Sequence, residues 1–240
     1  MSALHVEDLR YGIQRQPILR GIGLVLAPGE FAALIGPNGA GKTALLQCLS
    51  GVIAADAGVV RIGGCDLAAD PVAARRLLGM SIDPARLPPL LSVRECLRLF
   101  ADARGLPAIP AATLALCEAL SLTPMLDRWI GQCSLGTRQK VGIVLGLLGE
   151  PPLLVLDEPL NGLDPLSAHA LKEHLRRLCG EQGTAVLLAT HALDIAERYI
   201  NRAMLMVDGA IRRDWSSREL KAIGEDPDHS LERAMVEAMR

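Results

Sequence analysis

The pattern G-x-x-x-x-G-K-[ST] of a phosphate-binding loop runs through Gly36-Pro37-Asn38-Gly39-Ala40-Gly41-Lys42-Thr43. The apolar run before it, residues 31–35, predicts a buried strand, and residues 44–49 after it predict the first turns of a helix. A strand, this loop and a helix in that order are the context that the motif requires. The eight residues are therefore predicted to bind the phosphates of a nucleotide.

The residue types in this loop account for its chemistry. Glycines let the backbone curl so that successive N–H groups point at an anion. The N-terminus of the following helix adds the positive end of its dipole. Lys42 brings a positive charge to the outer phosphates, and Thr43 offers a hydroxyl to Mg²⁺.

Length and composition restrict the possible classes of protein. The 240 residues are 50% hydrophobic, enough for one large α/β domain or one domain with an inserted lobe. A net charge of −2 and an aromatic share of 2% argue against nucleic acid as a partner.

The six cysteines form no C-x-x-C pair and are interpreted as small core residues in a reducing compartment. We expect no signal peptide, and the longest apolar run, residues 141–149, is too short to span a bilayer.

The hydrophobic pattern divides the chain into α/β stretches and a helical stretch. The opening is predicted to be rich in strands, with a turn at Tyr11-Gly12 and a short helix at 71–79. A short helix is predicted at the C-terminus. We predict one domain over 1–240, with core α/β parts at 1–83 and 148–223, an inserted helical lobe at 84–147 and a tail helix at 224–240.

Start signals for helices support the inserted lobe. Ser92 and Glu95 have the spacing of a capping box, in which a serine and a glutamate three residues later satisfy the first N–H groups of a helix. Ser134 is predicted to open another helix of the lobe. Beyond the lobe, Asp164-Pro165 predicts a helix with proline at its first position.

Two carboxylates follow an apolar strand pattern at 153–156. An aspartate that closes a buried strand, here Asp157, can hold Mg²⁺ through water. The adjacent Glu158 can orient or deprotonate an attacking water. Acidic strand ends are common, so the pair becomes informative only because a phosphate-binding loop lies upstream.

Taken together, these motifs resemble those of the ATP-binding subunit of an ABC transporter, over nearly the whole chain. Tyr11 sits where that family places an aromatic ring that stacks on adenine. The run from Ser134 to Lys140 resembles the family signature, in an S-L-G form in place of S-G-G. In the family, Ser134 and the backbone of Gly136 would contact ATP that the other subunit holds.

Two further stretches carry the resemblance. Residues 160–164 resemble the loop that joins the two active sites, and His191 matches the histidine that contacts the γ-phosphate. The implied fold is α/β: a P-loop NTPase with a mostly parallel sheet, an N-terminal antiparallel β subdomain and an inserted helical lobe. The implied cofactors are ATP and Mg²⁺. The implied partners are membrane-spanning permease subunits, of export type, and a second ATPase subunit, identical or paired. The implied location is peripheral, on the cytoplasmic face of the inner or plasma membrane.

One departure from the family pattern concerns the start of the helical lobe. The family places there a glutamine that reaches Mg²⁺ and the attacking water, and this chain has Asp83 in that position. Asp83 is therefore a candidate metal ligand, held through water, whose charge slows hydrolysis or alters coupling to the partner. The departure keeps open an alternative, an ATP-gated dimerising regulatory module with slow or no turnover. An ATPase that acts on ribosomes or DNA is disfavoured, because the chain has one cassette and no basic stripe.

Overall fold

The computed structural model describes residues 2–191, 199–225 and 230–239. In these ranges the N-terminal strands form an antiparallel sheet with the order β2-β1-β4-β5. Its strands are β1 (Leu4–Ile13), β2 (Gln16–Leu26), β4 (Ala57–Ile62) and β5 (Cys65–Asp66). Buried side chains alternate at Leu4 and Val6 of β1, and an irregularity at Asp8, where φ is 44°, shifts the next buried position to Leu9.

The second sheet has six described strands in the order β10-β9-β3-β8-β7-β6. All neighbours are parallel except β9 and β10, which form an antiparallel hairpin. The strands are β3 (Phe31–Ile35), β6 (Leu78–Met80), β7 (Leu153–Asp157), β8 (Ala185–Thr190), β9 (Arg202–Val207) and β10 (Ala210–Trp215). Strands β3 and β8 are buried along their whole length, which explains why they are continuous apolar runs in the sequence.

The described α-helices cover the faces of these sheets. They are α1 (Lys42–Leu49), α2 (Pro71–Arg76), α3 (Val93–Ala103), α4 (Ala111–Ala119), α5 (Leu135–Leu147), α6 (Pro165–Gln182), α7 (Ser217–Glu225) and α8 (Leu231–Ala238). Helices α3, α4 and α5 lie between β6 and β7 in the chain. The predicted start signals are confirmed: Ser92 and Glu95 form a capping box, and Ser134 and Asp164 cap α5 and α6.

The large sheet separates two cores because successive strand residues point to opposite faces. Leu154 and Leu156 of β7 pack with α3 to α6, whereas Leu153 and Val155 pack with α1 and the antiparallel sheet. A smaller third core joins the β9–β10 hairpin to α8. The predicted fold class is confirmed: a mostly parallel sheet, a separate antiparallel sheet and inserted helices.

Two local predictions are wrong, and one helix was missed. Tyr11-Gly12 is not a turn, because both residues lie within β1, and the chain reverses at Gln14-Arg15, where both φ angles are positive. The helix predicted at 71–79 ends at Arg76, and Leu78–Met80 forms the edge strand β6. Helix α7 was not predicted.

None of the described helices is long and apolar enough to cross a membrane.

Candidate active site

The phosphate-binding loop connects β3 to α1 and leaves the N-terminus of α1 without a side-chain cap. Gly41 occupies the N-cap position with φ 101°, a left-handed conformation that side chains rarely adopt. The Lys42 Nζ donates to the carbonyl oxygens of Gly36 at 2.6 Å and Pro37 at 3.1 Å. The side chain folds back over its own loop, and the uncapped N–H groups of α1 remain available to an anion.

Lys42 is buried, with 7% of its surface exposed. Burial lowers the pKa of its ammonium group, and the charges of Glu158 and Asp157 act in the opposite direction. Two carboxylates therefore face the same loop that is suited to phosphates. The charge balance at this point favours a ligand that brings its own cation.

Thr43 and Asp157 supply neighbouring oxygens at the edge of this loop. The Thr43 hydroxyl donates to Asp157 Oδ2 at 2.8 Å, joining the first turn of α1 to the end of β7. Burial raises the pKa of Asp157, and the Thr43 hydrogen bond partly offsets this shift. The Asp157 backbone N–H donates to the Ser81 hydroxyl at 3.3 Å. Sequence reasoning missed Ser81, and no local pattern distinguishes it.

These two oxygens fit Mg²⁺, which prefers oxygen ligands and usually keeps several waters beside one or two protein groups and substrate phosphates. Among the residues that the structure describes, no group of three His, Cys, Asp or Glu side chains is arranged to hold a metal ion. The donor set therefore suits a cation that arrives with a nucleotide better than one enclosed by protein alone.

Glu158 follows Asp157 directly and adopts φ 44°, which is uncommon for a residue other than glycine. Its backbone N–H donates to the Ala189 carbonyl at 2.9 Å, and its Oε1 lies 2.8 Å from Nδ1 of His191. The other oxygen, Oε2, is buried and has no hydrogen-bond partner within the described ranges. A buried carboxylate oxygen without a partner is costly, so it is suited to accept a hydrogen bond from a bound water.

One cleft of about 590 Å³ collects Glu158 and the three predicted metal ligands, Thr43, Asp157 and Asp83, whereas residues 36–42 and His191 are not among the described residues that line it. Asp83 Oδ1 also accepts the Ala85 N–H at 2.8 Å and so caps a short 3₁₀ turn, Pro84–Arg86. The structure therefore brings Asp83 to the same cleft as Asp157 and Glu158, which lie 74 and 75 positions later in the chain. His191 joins the group through Glu158.

Tyr11 is held beside the phosphate-binding loop by the pairing of β1 and β2. It lies opposite Leu19, and Leu19 Cδ2 is 3.4 Å from the position that a Cβ on Gly41 would take. Tyr11 is half-buried, in a hollow of about 580 Å³ that also includes Arg15 and Asp56. The predicted adenine site is thus adjacent to the predicted phosphate site.

The signature run is divided: Gln139 lines this cleft, whereas Ser134 and Gly136 lie outside it. Ser134 caps α5, and its Oγ accepts the Thr137 N–H at 3.2 Å. Gly136 faces the loop after Glu158: the position of a Cβ on Gly136 would be 3.2 Å from the Gly162 carbonyl oxygen. Among the described residues that line the cleft with Thr43 and Asp157, neither Ser134 nor Gly136 is found. Within one chain, the structure therefore does not bring Ser134 and Gly136 to the cleft that contains Thr43 and Asp157.

Comparisons with known proteins decide which family this arrangement belongs to. The family model for ABC transporters matches residues 19–161. The EcsA ATP-binding protein of an ABC-type transporter of Bacillus subtilis is 33% identical, over 92% of this chain and 90% of its own length. The Nod factor export ATP-binding protein I of Paraburkholderia xenovorans is 32% identical, over 87% of this chain and 69% of its own.

Solved structures agree. The ATP-binding subunit of an ABC transporter superposes with a TM-score of 0.89, at 33% identity, with all of both chains covered. The chain belongs to the ABC transporter family. A dimeric ATP-binding cassette bound to ADP and Pi shares the fold, with a TM-score of 0.80 at 23% identity, over 90% of this chain and 99% of its own.

As an ABC transporter ATP-binding subunit, the protein binds ATP, hydrolyses it and powers transport by membrane permease components. The resemblance inferred from the sequence is confirmed. The alternative of an ATP-gated dimerising regulatory module with slow or no turnover is not favoured by these relatives.

Proposed function

We propose that this ABC transporter subunit holds Mg-ATP between the phosphate-binding loop and the Asp157–Glu158 strand end, and hydrolyses it there. The observation that supports this most directly is the free Oε2 of Glu158, buried in the cleft that Thr43 and Asp157 also line. A carboxylate oxygen without a partner, next to a site for the γ-phosphate, is what a group that orients water needs.

In the proposed reaction, Lys42 leaves the carbonyl oxygens of its own loop and contacts the β- and γ-phosphates. Thr43 and Asp157 would hold Mg²⁺, and the ion would supply positive charge that neutralises the phosphates. Glu158 orients the water that attacks the γ-phosphorus and accepts its proton, while the bond to the bridging β-γ oxygen breaks. His191, which is 2.8 Å from Glu158, holds that carboxylate in place and contacts the γ-phosphate.

We propose that two copies complete each site. The N-terminus of α5, with Ser134 and Gly136, would cover the ATP held by the other copy, and Tyr11 would stack on the adenine of the ATP in its own chain. Support comes from the exposed position of this helix end and from a dimeric relative of the same fold. A homodimer and a pair with a related subunit are both compatible with these contacts.

The partners proposed are permease subunits of export type, because one relative is named for export of Nod factor. The proposed location is the cytoplasmic face of the membrane that holds them, with this chain bound peripherally. The division into core parts 1–83 and 148–223, lobe 84–147 and tail 224–240 is likewise proposed. It is supported by the concentration of α3, α4 and α5 between β6 and β7.

Replacing Glu158 with glutamine tests the proposed function. We expect kcat for ATP hydrolysis to fall about 100-fold or more, the usual contribution of a positioned general base. Because Lys42, Thr43 and Asp157 remain, the variant still binds Mg-ATP. Gel filtration with Mg-ATP, together with a phosphate-release assay, measures both quantities, and the variant should elute as an ATP-dependent dimer.

Glu173→Gln is the matched control, since Glu173 is a carboxylate of α6 that pairs with Arg176 on the surface. It should hydrolyse ATP at the parental rate and show no trapped dimer. Hydrolysis at the parental rate by Glu158→Gln would remove Glu158 from the reaction and with it this proposal.

A further inference from the structure

An ion pair connects the signature helix α5 to the start of α6. Lys140 Nζ lies 2.8 Å from Asp164 Oδ2, and the Lys140 side chain is only 13% exposed although that of Asp164 is 50% exposed. The two residues belong to different parts of the proposed site. Lys140 is on the helix that begins after Ser134, whereas Asp164 closes the loop that begins at Glu158.

The Asp164 carboxylate is fixed on the α6 side. Its Oδ1 accepts the Ser167 N–H at 2.9 Å, and its Oδ2 accepts the Ser167 hydroxyl at 2.7 Å as well as the Lys140 ammonium. The Lys140 ammonium and these hydrogen bonds hold the pKa of Asp164 far below its usual range. The carboxylate is therefore charged at neutral pH and has little freedom to turn away from Lys140.

The loop between Glu158 and Asp164 can transmit this restraint. Asn161 N–H donates to the Glu158 carbonyl at 3.2 Å, and Leu163 N–H donates to the Leu160 carbonyl at 3.3 Å. Two successive turns thus link the catalytic candidate to the ion pair. The close approach of Gly136 to the Gly162 carbonyl adds a second contact between the same helix and the same loop.

We propose that Lys140 is a positioning residue for ATP hydrolysis, which acts through Asp164. The ion pair sets the end of α5 at a fixed place relative to the Glu158 loop of its own chain. When two copies close, each α5 end must meet the ATP of the other copy while each Glu158 meets the water of its own. A fixed spacing between these two elements lets both contacts form at once. This inference rests on the proposed closure of two copies.

A second ion pair provides the matched control. Arg94 of α3 lies 2.7 Å from Asp127, 33 positions later, and the two side chains are 48% and 81% exposed. It joins two segments within the stretch 84–147, and neither residue lines the cleft with Thr43 and Asp157. Loss of this pair should cost little, because exposed ion pairs contribute little to stability.

The experiment compares Lys140→Met, Asp164→Asn, the double variant, Lys140→Arg and the control Arg94→Met. Asparagine caps helices as well as aspartate does, so Asp164→Asn removes the charge and keeps the helix start. We measure kcat and KM for ATP, the affinity of a fluorescent ATP analogue, and the melting temperature. Each single variant should lose about tenfold in kcat, within the range caused by small misplacements at an active site.

The double variant should be no slower than either single variant, because both remove one interaction. Nucleotide affinity and melting temperature should match those of Arg94→Met, and Lys140→Arg should keep most of the parental rate. A parental kcat in Lys140→Met would overturn the inference. So would losses that multiply in the double variant, or a kcat loss matched by weaker nucleotide binding or a lower melting temperature. If the parental protein itself does not hydrolyse ATP, the proposed function fails instead.

Discussion

Two helix N-termini contribute to the proposed ATP site, and they differ in capping and in exposure to solvent. The N-terminus of α1 has no side-chain cap, and the first residue of the helix, Lys42, is buried. The N-terminus of α5 is capped by Ser134, and its first residue, Leu135, is 66% exposed. One end is enclosed by its own chain and keeps its N–H groups free of a side-chain cap, whereas the other is capped by a serine and is exposed at its first residue.

This difference suggests a division in which the α1 end binds the nucleotide and the α5 end affects only turnover. The α1 end, with Thr43, Asp157 and Glu158 around it, contains what is needed to bind a nucleotide within one chain. In the proposed site, the α5 end contributes only when a second copy places it on that copy's ATP. Nucleotide binding and turnover should therefore respond to different substitutions, binding to those at the α1 end and turnover alone to those at the α5 end.

The largest effect is expected at the α1 end. Replacing Lys42 with alanine removes the charged donor to the phosphates, and charge-assisted hydrogen bonds are worth about 1.5–3 kcal/mol each. With two such bonds lost, the affinity for Mg-ATP should fall about 100-fold or more. Isothermal titration calorimetry measures this directly. Lys221→Ala, on the exposed side of α7, is the control and should bind like the parent. Unchanged affinity in Lys42→Ala would contradict the assignment of the loop.

A smaller effect, confined to turnover, is expected at the α5 end. Ser134→Ala should leave the affinity of a single subunit for ATP unchanged, because Ser134 lies outside the cleft of its own chain. The hydrolysis rate should fall about tenfold, since one donor to the γ-phosphate of the other copy is lost. The rate should also depend on protein concentration more steeply than in the parent, because dimer closure is weakened.

Loss of a helix cap alone could also slow the enzyme, so Ser134→Ala needs its own control. Ser230 caps α8 with a hydrogen bond of the same kind and length, its Oγ accepting the Arg233 N–H at 3.2 Å. Ser230→Ala removes a comparable cap outside the site, and both variants should lose about 1 kcal/mol of stability. If both variants slow hydrolysis equally, Ser134 acts as a cap and not on nucleotide.

The contrast between the two ends also explains what the sequence could predict. The phosphate-binding loop is contiguous, and its glycines, Lys42 and Thr43 stand in fixed order, so the sequence alone is enough to predict a strand, a loop and a helix there. Helix starts at Ser92, Ser134 and Asp164 are equally local signals. The buried strands β7 and β8 are visible in the sequence because strands covered on both faces are apolar throughout.

What the sequence could not predict depends on contacts between distant residues. Edge strand β6 has three residues with a glycine at its centre, too few to show an alternating pattern. Pairing of Lys140 with Asp164 depends on where α5 lies against α6, which no local pattern encodes. The adenine role of Tyr11 rests on resemblance alone and stays a prediction. The turn predicted at Tyr11-Gly12 is wrong, because pairing of β1 with β2 continues through both residues.

The smallest effect concerns Asp83, where the chain departs from its family. Asp83 lines the cleft with Asp157 and Glu158, so three carboxylates surround the place proposed for a γ-phosphate. If this third charge slows hydrolysis, Asp83→Gln should raise kcat about two- to fivefold, which corresponds to the ~1 kcal/mol that unit charges exchange in water at about 4 Å. A steady-state ATPase assay at saturating Mg-ATP measures the change.

Asp83→Asn separates charge from length, because asparagine keeps the size of the side chain and can still accept the Ala85 N–H that caps the turn. An increase in both variants would assign the effect to charge. An increase in the glutamine variant alone would mean that reach toward the attacking water is limiting. An unchanged rate in both would contradict the idea that a negative charge at position 83 slows hydrolysis. The departure would then be a substitution that the cleft tolerates without cost.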